Sequence, residues 1–202
     1  LPLYFEYTRK MECMNMVVAP DLPVAVIGAG PVGLAAAAHL VSRGLRPLVL
    51  EKGASVGASL LEWGHVRVFS PWRYNIDAAA RLLLQRTAWR EPAAEALPTG
   101  GEIVRDYLAP LAAVPEIASN LKLGATVAAI TRQGHDKVSS RGREDSPFVV
   151  HYQDKNGEHR VLARPVLDAS GTWARPTRSA LTAFRFRGRK RLAAGSLTGF
   201  PT

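Results

Sequence analysis

The chain predicts an α/β fold in which a parallel sheet with flanking helices is followed by an antiparallel β-meander. Three observations carry this. The apolar run Val24-Ala25-Val26-Ile27 meets a glycine-spaced turn and then an alanine-rich helical stretch. A second apolar run, from Arg46 to Leu50, ends on an acid, Glu51. From Leu121 onward the pattern changes to alternating strands separated by polar turns.

The turn itself reads Gly28-Ala29-Gly30-Pro31-Val32-Gly33. Gly28 permits a sharp turn, Gly30 lets the main chain approach a pyrophosphate, and Gly33 lets helix and strand pack closely. The helix that opens there aims free N–H groups at an anion. Ala37 places a further small residue on the sheet-facing side, and Gly44 sits where the helix would end. At the end of the second strand the Glu51 carboxylate is placed to accept hydrogen bonds from a ribose. A glycine-rich turn by itself can be a plain tight loop. Strand, helix, second strand and acid all falling within about 30 residues make this a Rossmann-like dinucleotide site.

Lys52 to Ser59 is small and flexible, with Gly53 and Gly57. Val66-Arg67-Val68 reads as a short strand, followed by a proline-broken aromatic loop, Phe69 to Asn75. Such a loop either walls a planar ring or packs into the core with Arg67 and Arg73 exposed, and the residues leave both open. Asp77 caps a helix over Ala78 to Arg86, whose Leu82, Leu83 and Leu84 give a buried face. Trp89 to Pro98 is a loop. Thr99-Gly100-Gly101-Glu102 has capping-box spacing and opens a helix whose stripe of Ile103, Tyr107, Leu108 and Leu111 is core. The meander comprises Leu121 to Ile130, Pro147 to Gln153, the turn Asp154 to Gly157, and Glu158 to Ala163, with a mobile polar loop from Arg132 to Ser146. Pro165 to Thr172 reads as a short buried strand ending in small residues, where backbone or cofactor can come close. His65 is the nearest candidate for an acid or base, and a hydrogen-bonded structural role is expected for it. No catalytic residue is assigned.

At 202 residues the chain can bury one sizeable core. No apolar run reaches the roughly 18 residues of a membrane span, so no membrane association is expected. The single cysteine, Cys13, excludes an internal disulfide, a Cys-x-x-Cys pair and a cysteine zinc cluster, and a cytoplasmic location follows as the default. Residues 1–20 are expected to be a disordered leader, or sequence upstream of the true start, since Met11, Met14 and Met16 precede the first strand. The net charge of +9 invites a nucleic-acid reading. Its distribution argues against a specific one. Before Asp168 the charges nearly balance, whereas after it there is no acid and seven basic residues, Arg175 to Arg191. Such a tail binds polyanions non-specifically.

The first motif alone does not separate an NAD dehydrogenase from a flavoprotein. A dehydrogenase would repeat strand–helix units, whereas here a meander and the strand end Asp168-Ala169-Ser170-Gly171-Thr172 take over. From about Val24 to Pro176 the chain resembles the FAD-binding portion of the FAD-dependent pyridine-nucleotide oxidoreductase superfamily. That group includes thioredoxin-reductase-like oxidoreductases and flavin-containing monooxygenases. The resemblance implies that Gly28, Gly30 and Gly33, with the backbone of Pro31 and Val32, hold the pyrophosphate of FAD. It places Glu51 on the ribose and counts Lys52 beside it among the cofactor-binding residues. Val127 would offer backbone contacts to adenine, and Ser170 and Gly171 would pass near the pyrophosphate or flavin. Gly57 and Ser59 fall in the region of the family's second glycine cluster, from which Ala58 departs. NAD(P)H is the implied co-substrate of the complete enzyme and a small molecule its implied substrate. Without a redox cysteine pair the disulfide route is closed to this sequence, and the oxygen-linked, monooxygenase route stays open.

No second glycine-rich strand–turn–helix for a nicotinamide follows. The sequence therefore reads as an FAD-binding domain over residues 21–176, truncated before the nicotinamide domain and inactive alone, so that NADPH reduces bound flavin poorly. Two other readings remain: an NAD(P)-only dehydrogenase fragment, and a non-catalytic nucleotide-binding protein with a basic interaction tail. Residues 177–202 are expected to be unstructured or frame-shifted. Codons exist for Thr177 to Arg185 that, entered two bases later, spell the turn-rich Pro-Leu-Gly-Ala-Asp-Gly-Leu-Pro. Sequencing the coding DNA tests this: a single-base slip should restore an open frame, and its absence removes the idea.

Overall fold

The computed structural model describes residues 21–135 and 141–172. The expected leader and basic tail, and the middle of the polar loop after Arg132, lie outside the described residues. A four-stranded parallel sheet has the order β3-β2-β1-β7, made of β1 (Val24–Ile27), β2 (Pro47–Glu51), β3 (Leu121–Leu123) and β7 (Val166–Asp168). A separate antiparallel sheet has the order β4-β5-β6, from β4 (Thr126–Arg132), β5 (Phe148–Asp154) and β6 (Gly157–Ala163).

Successive side chains of a strand point to opposite faces, and here both faces are covered. Val26 and Val49 enter the larger core, shared with the helices. Ala25, Leu48 and Leu50 enter a smaller core with Ala125, Val150, Tyr152 and Ala163, which lies against the meander. All five residues of β2 are consequently buried. Helix α1 (Pro31–Ser42) packs on β1 and β2 through Gly33, Leu34, Ala37 and Ala38. Proline at its start loses no bond, because that N–H lies outside the helical ladder. Gly44, at φ +68°, ends the helix as the sequence predicts.

The remaining helices cover the same face. They are α2 (Ala58–Leu61), α3 (Trp72–Asn75), α4 (Ala78–Leu84), α5 (Gly100–Ile103), α6 (Ala109–Ala112) and α7 (Pro115–Ala118), with a π-helical turn (Val104–Leu108) joining α5 to α6. The capping box at Thr99 and Glu102 forms in full, and Ile103, Tyr107, Leu108 and Leu111 are buried as the stripe predicts.

Four expectations are corrected. Leu121 to Ile130 is not one strand. Gly124, at φ +68°, breaks it, and its N–H donates to the Gly53 carbonyl while Ala125 N–H donates to the Glu51 carbonyl. The first piece joins the parallel sheet and only the second enters the meander, a break hidden by apolar alternation on both sides. Val66 to Val68 forms no strand, only an isolated antiparallel bridge between Arg67 and Thr99. Leu82 faces solvent while Leu83 and Leu84 are buried, because three consecutive helical residues span too wide an arc to share one face. The strand before Ser170 is not buried either: Leu167 is 39% exposed on the sheet's outer strand. In the aromatic loop Trp72 enters the core, whereas Phe69 and Tyr74 are exposed. Arg73 pairs with Glu95 and lies 4.7 Å from the Tyr74 ring centroid.

Asp77 does two tasks. Its Oδ1 accepts the N–H groups of Ala79 and Ala80 at the start of α4, and its Oδ2 is 3.1 Å from His39 Nε2 on α1. Partial burial pushes its carboxyl upward, but the Ala80 N–H, His39 and the Ala79 N–H together outweigh that and hold it below the usual range. A depressed carboxylate adds stability that is present above the unfolded value near pH 4 and lost as pH falls through the folded one. Asp77→Ala should therefore cost about 1 kcal/mol at neutral pH, the usual cost of a lost N-cap, with the deficit shrinking in acid. Urea denaturation at neutral pH and at about pH 3 checks both the size and the sign.

Candidate functional site

The site forms where β1 gives way to α1. Gly28 has φ +99°, a conformation side chains rarely adopt, and its N–H donates to the Leu50 carbonyl at 2.8 Å. A Cβ there would stand 2.6 Å from the Ala169 carbonyl oxygen, so the turn meets the end of β7 backbone to backbone. A Cβ at Gly33 would collide with the Gly28 carbonyl oxygen. The fold itself demands both glycines.

Gly30 is different. Its φ of −81° and ψ of −174° suit any residue, and nothing lies within 4 Å of where its Cβ would stand. Neither backbone strain nor packing requires glycine here. Beside it the N-terminus of α1 has no side-chain cap and no acidic residue in its first turn. Its first N–H groups, including those of Val32 and Gly33, have no partner within the helix and are oriented for an anion. Pro31 contributes no N–H, and the Val32 side chain is exposed.

Glu51 is the one buried charged residue among the described residues. Its Oε2 accepts the Ala29 N–H at 2.6 Å and its Oε1 the Gly53 N–H at 2.7 Å. Two charge-assisted bonds offset the desolvation of the carboxylate. Each oxygen keeps a free lone pair, which two ribose hydroxyls can use. The Ala29 carbonyl is also held, because Gly57 N–H donates to it at 3.0 Å.

The sequence-predicted residues gather unevenly around this centre. Lys52 is exposed beside Glu51, and Ser59 is half-buried in the first turn of α2, just beyond Gly57. Val127 lies two residues past Ala125, whose N–H is bonded to Glu51; it stands opposite Tyr152, beside a bulge on the meander's outer strand. Ser170 and Gly171 are exposed, with the Ser170 Cα 3.2 Å from the Cβ position of Gly28. His65 departs from expectation: it is exposed, and no side-chain hydrogen bond to another described residue holds it. Ala29, Gly53 and Gly124 are structural members of the site that sequence reasoning missed. The glycine two residues after Glu51 was the available signal, since only a residue without Cβ fits between Ala58 and the Glu51 carboxylate. A cleft of about 410 Å³ at the other end of the sheet, with Arg46, Leu48, Lys122 and Leu162 in its wall, shares no residue with this turn.

The profile of one protein family, described as pyridine nucleotide-disulphide oxidoreductase, matches residues 25–180. No curated protein matches the sequence. Among solved structures, bacillithiol disulfide reductase from Bacillus cereus superposes with a TM-score of 0.58 at 20% identity, over 82% of this chain and 44% of that one. A flavin-containing monooxygenase from Stenotrophomonas maltophilia gives 0.54 at 26% identity, over 76% and 39%. A cyclohexanone monooxygenase mutant from Rhodococcus sp. Phi1, bound to NADP+, gives 0.55 at 20% identity, over 74% and 26%. The chain thus spans less than half the length of each of these proteins.

The contrast between the glycines is measurable. Gly33→Ala should lose about 1–3 kcal/mol or more in urea denaturation, as overpacking against backbone does. Gly30→Ala should stay within about 0.5 kcal/mol of the parent, as a substitution into open space does.

Proposed function

Because the chain belongs to the pyridine nucleotide-disulphide oxidoreductase family, we propose that its glycine turn and Glu51 hold the ADP half of FAD, and that it is the FAD-binding portion of an NAD(P)H-linked oxidoreductase. The observation that carries this reading is Gly30. A glycine that the fold does not need, set in open space at an uncapped helix N-terminus, is accounted for by a ligand that must touch main chain.

The residues present suit the group. The N-terminus of α1 offers N–H donors to the pyrophosphate, and Glu51 offers lone pairs to the ribose from a position already fixed by two backbone bonds. In this reading Val127, on the outer strand of the meander, would offer its backbone to the adenine, and Ser170 and Gly171, next to Gly28, would pass near the pyrophosphate or flavin. When bound, the flavin supplies hydride acceptance from a reduced nicotinamide and passes electrons onward. The protein's part is to bind, orient and shield it.

Onward transfer to oxygen, as a monooxygenase acting on a small molecule, is the favoured branch, supported by the likeness to the flavin-containing monooxygenase from Stenotrophomonas maltophilia at 26% identity. The nicotinamide co-substrate and a cytoplasmic location belong to the same proposal. No helix among the described residues is long and apolar enough to cross a membrane.

Titration of FAD into the purified chain tests the reading. FAD should bind with its fluorescence quenched, and Gly30→Ala should bind about tenfold more weakly while remaining folded, a difference of about 1.4 kcal/mol. A chain that ignores FAD overturns the flavin assignment; protection by NAD in its place favours a dehydrogenase fragment.

A further inference from the structure

We propose that Pro110 is a positioning residue for the nucleotide site, acting through the π-helical turn and Gly57; this rests on the flavin reading above. The helix from Gly100 to Ala112 runs through three segments, and its middle one is π-helical, with Ala109 N–H donating to the Val104 carbonyl five residues back. Its cause lies one residue further on. In an α-helix the amide of residue 110 would bond to the Asp106 carbonyl, but Pro110 has no N–H and its ring crowds that carbonyl. The helix widens instead. The Asp106 carbonyl is satisfied from outside by Trp89, whose indole Nε1 donates to it at 2.7 Å.

The residues at the two ends of the wide turn support the site. A Cβ at Gly57 would lie 2.7 Å from Val104 Cγ2 and 3.1 Å from Leu108 Cδ1, so the glycine loop rests directly on both side chains. Gly57, at φ +63°, donates its N–H to the carbonyl of Ala29, the residue at the centre of the glycine turn. A chain of contacts therefore runs from Pro110 through the π turn to Val104 and Leu108, then Gly57, then Ala29. Restoring an α-turn changes the register between the two halves of the helix and swings Leu108 relative to Val104. That disturbs the loop beside the pyrophosphate, at the Ala29 carbonyl that Gly57 holds.

Pro110→Ala is the test, because it separates stability from binding. The new amide can bond to the Asp106 carbonyl, so the thermal midpoint should hold or rise. FAD should bind about tenfold more weakly. Amide exchange should accelerate at Gly57 without a global change, and this readout needs no bound flavin. Val104→Ala, which removes the support and leaves the π turn intact, should give the same loss of FAD affinity and the same faster exchange at Gly57, at lower stability. The proposal is overturned if Pro110→Ala binds FAD as tightly as the parent, if it protects Gly57 equally, or if FAD affinity falls only together with the midpoint. Failure of the parent chain to bind FAD counts against the flavin reading, and Gly57 exchange then decides this one.

Discussion

The backbone of Ala29 is gripped at both its N–H and its carbonyl, and the geometry of the whole site follows from that. Glu51 takes its N–H and Gly57 supplies a donor to its carbonyl. Fixing one residue's backbone costs about 1–2 kcal/mol of conformational entropy, and a hydrogen bond to a charged group contributes about 1.5–3 kcal/mol, so such a grip can hold a turn rigid without a ligand. The same carboxylate fixes Gly53, and the Glu51 carbonyl receives Ala125. One residue at the end of β2 thereby ties the first glycine turn, the second glycine loop and the entry to the meander to a single point.

The two-faced sheet explains why Glu51 sits where it does. Along β2 the odd residue, Val49, serves the helical core and the even ones, Leu48 and Leu50, serve the meander core. Neither face can be given up, so the register is fixed and the strand delivers its last residue to a set height. The corner at Gly124 then redirects the chain from one sheet to the other at that same height. Val127 owes its place to this corner more than to its own side chain.

Much of this was legible in the sequence. The glycine spacing, the helix end at Gly44, the cap at Asp77 and the capping box at Thr99 each rest on local chemistry, and each forms as local chemistry dictates. What was hidden depends on contacts between distant segments. Only the glycine itself marks the break at 124, and it is easily passed over because apolar residues alternate on both sides and its N–H partner, Gly53, is far away in sequence. The π turn was hidden for a similar reason: the stripe from Ile103 to Leu111 suits an α-helix, and Pro110 alone signalled the departure. At the site, the sequence singles out Gly30 and Glu51, the residues we propose as ligand contacts. That Glu51 braces the turn was not legible, since a proposed ribose acceptor and a backbone brace require the same residue type.

The outer strand of the parallel sheet, β7, has a consequence for handling the protein. No described strand covers its far side, and Leu167 is 39% exposed there. Open backbone at a sheet margin is a template onto which a foreign chain can zip, the usual start of sticky self-association. Here the template is three residues long, from Val166 to Asp168, and it closes on a charged side chain. Brevity and charge together limit how far such zipping could spread along these three residues.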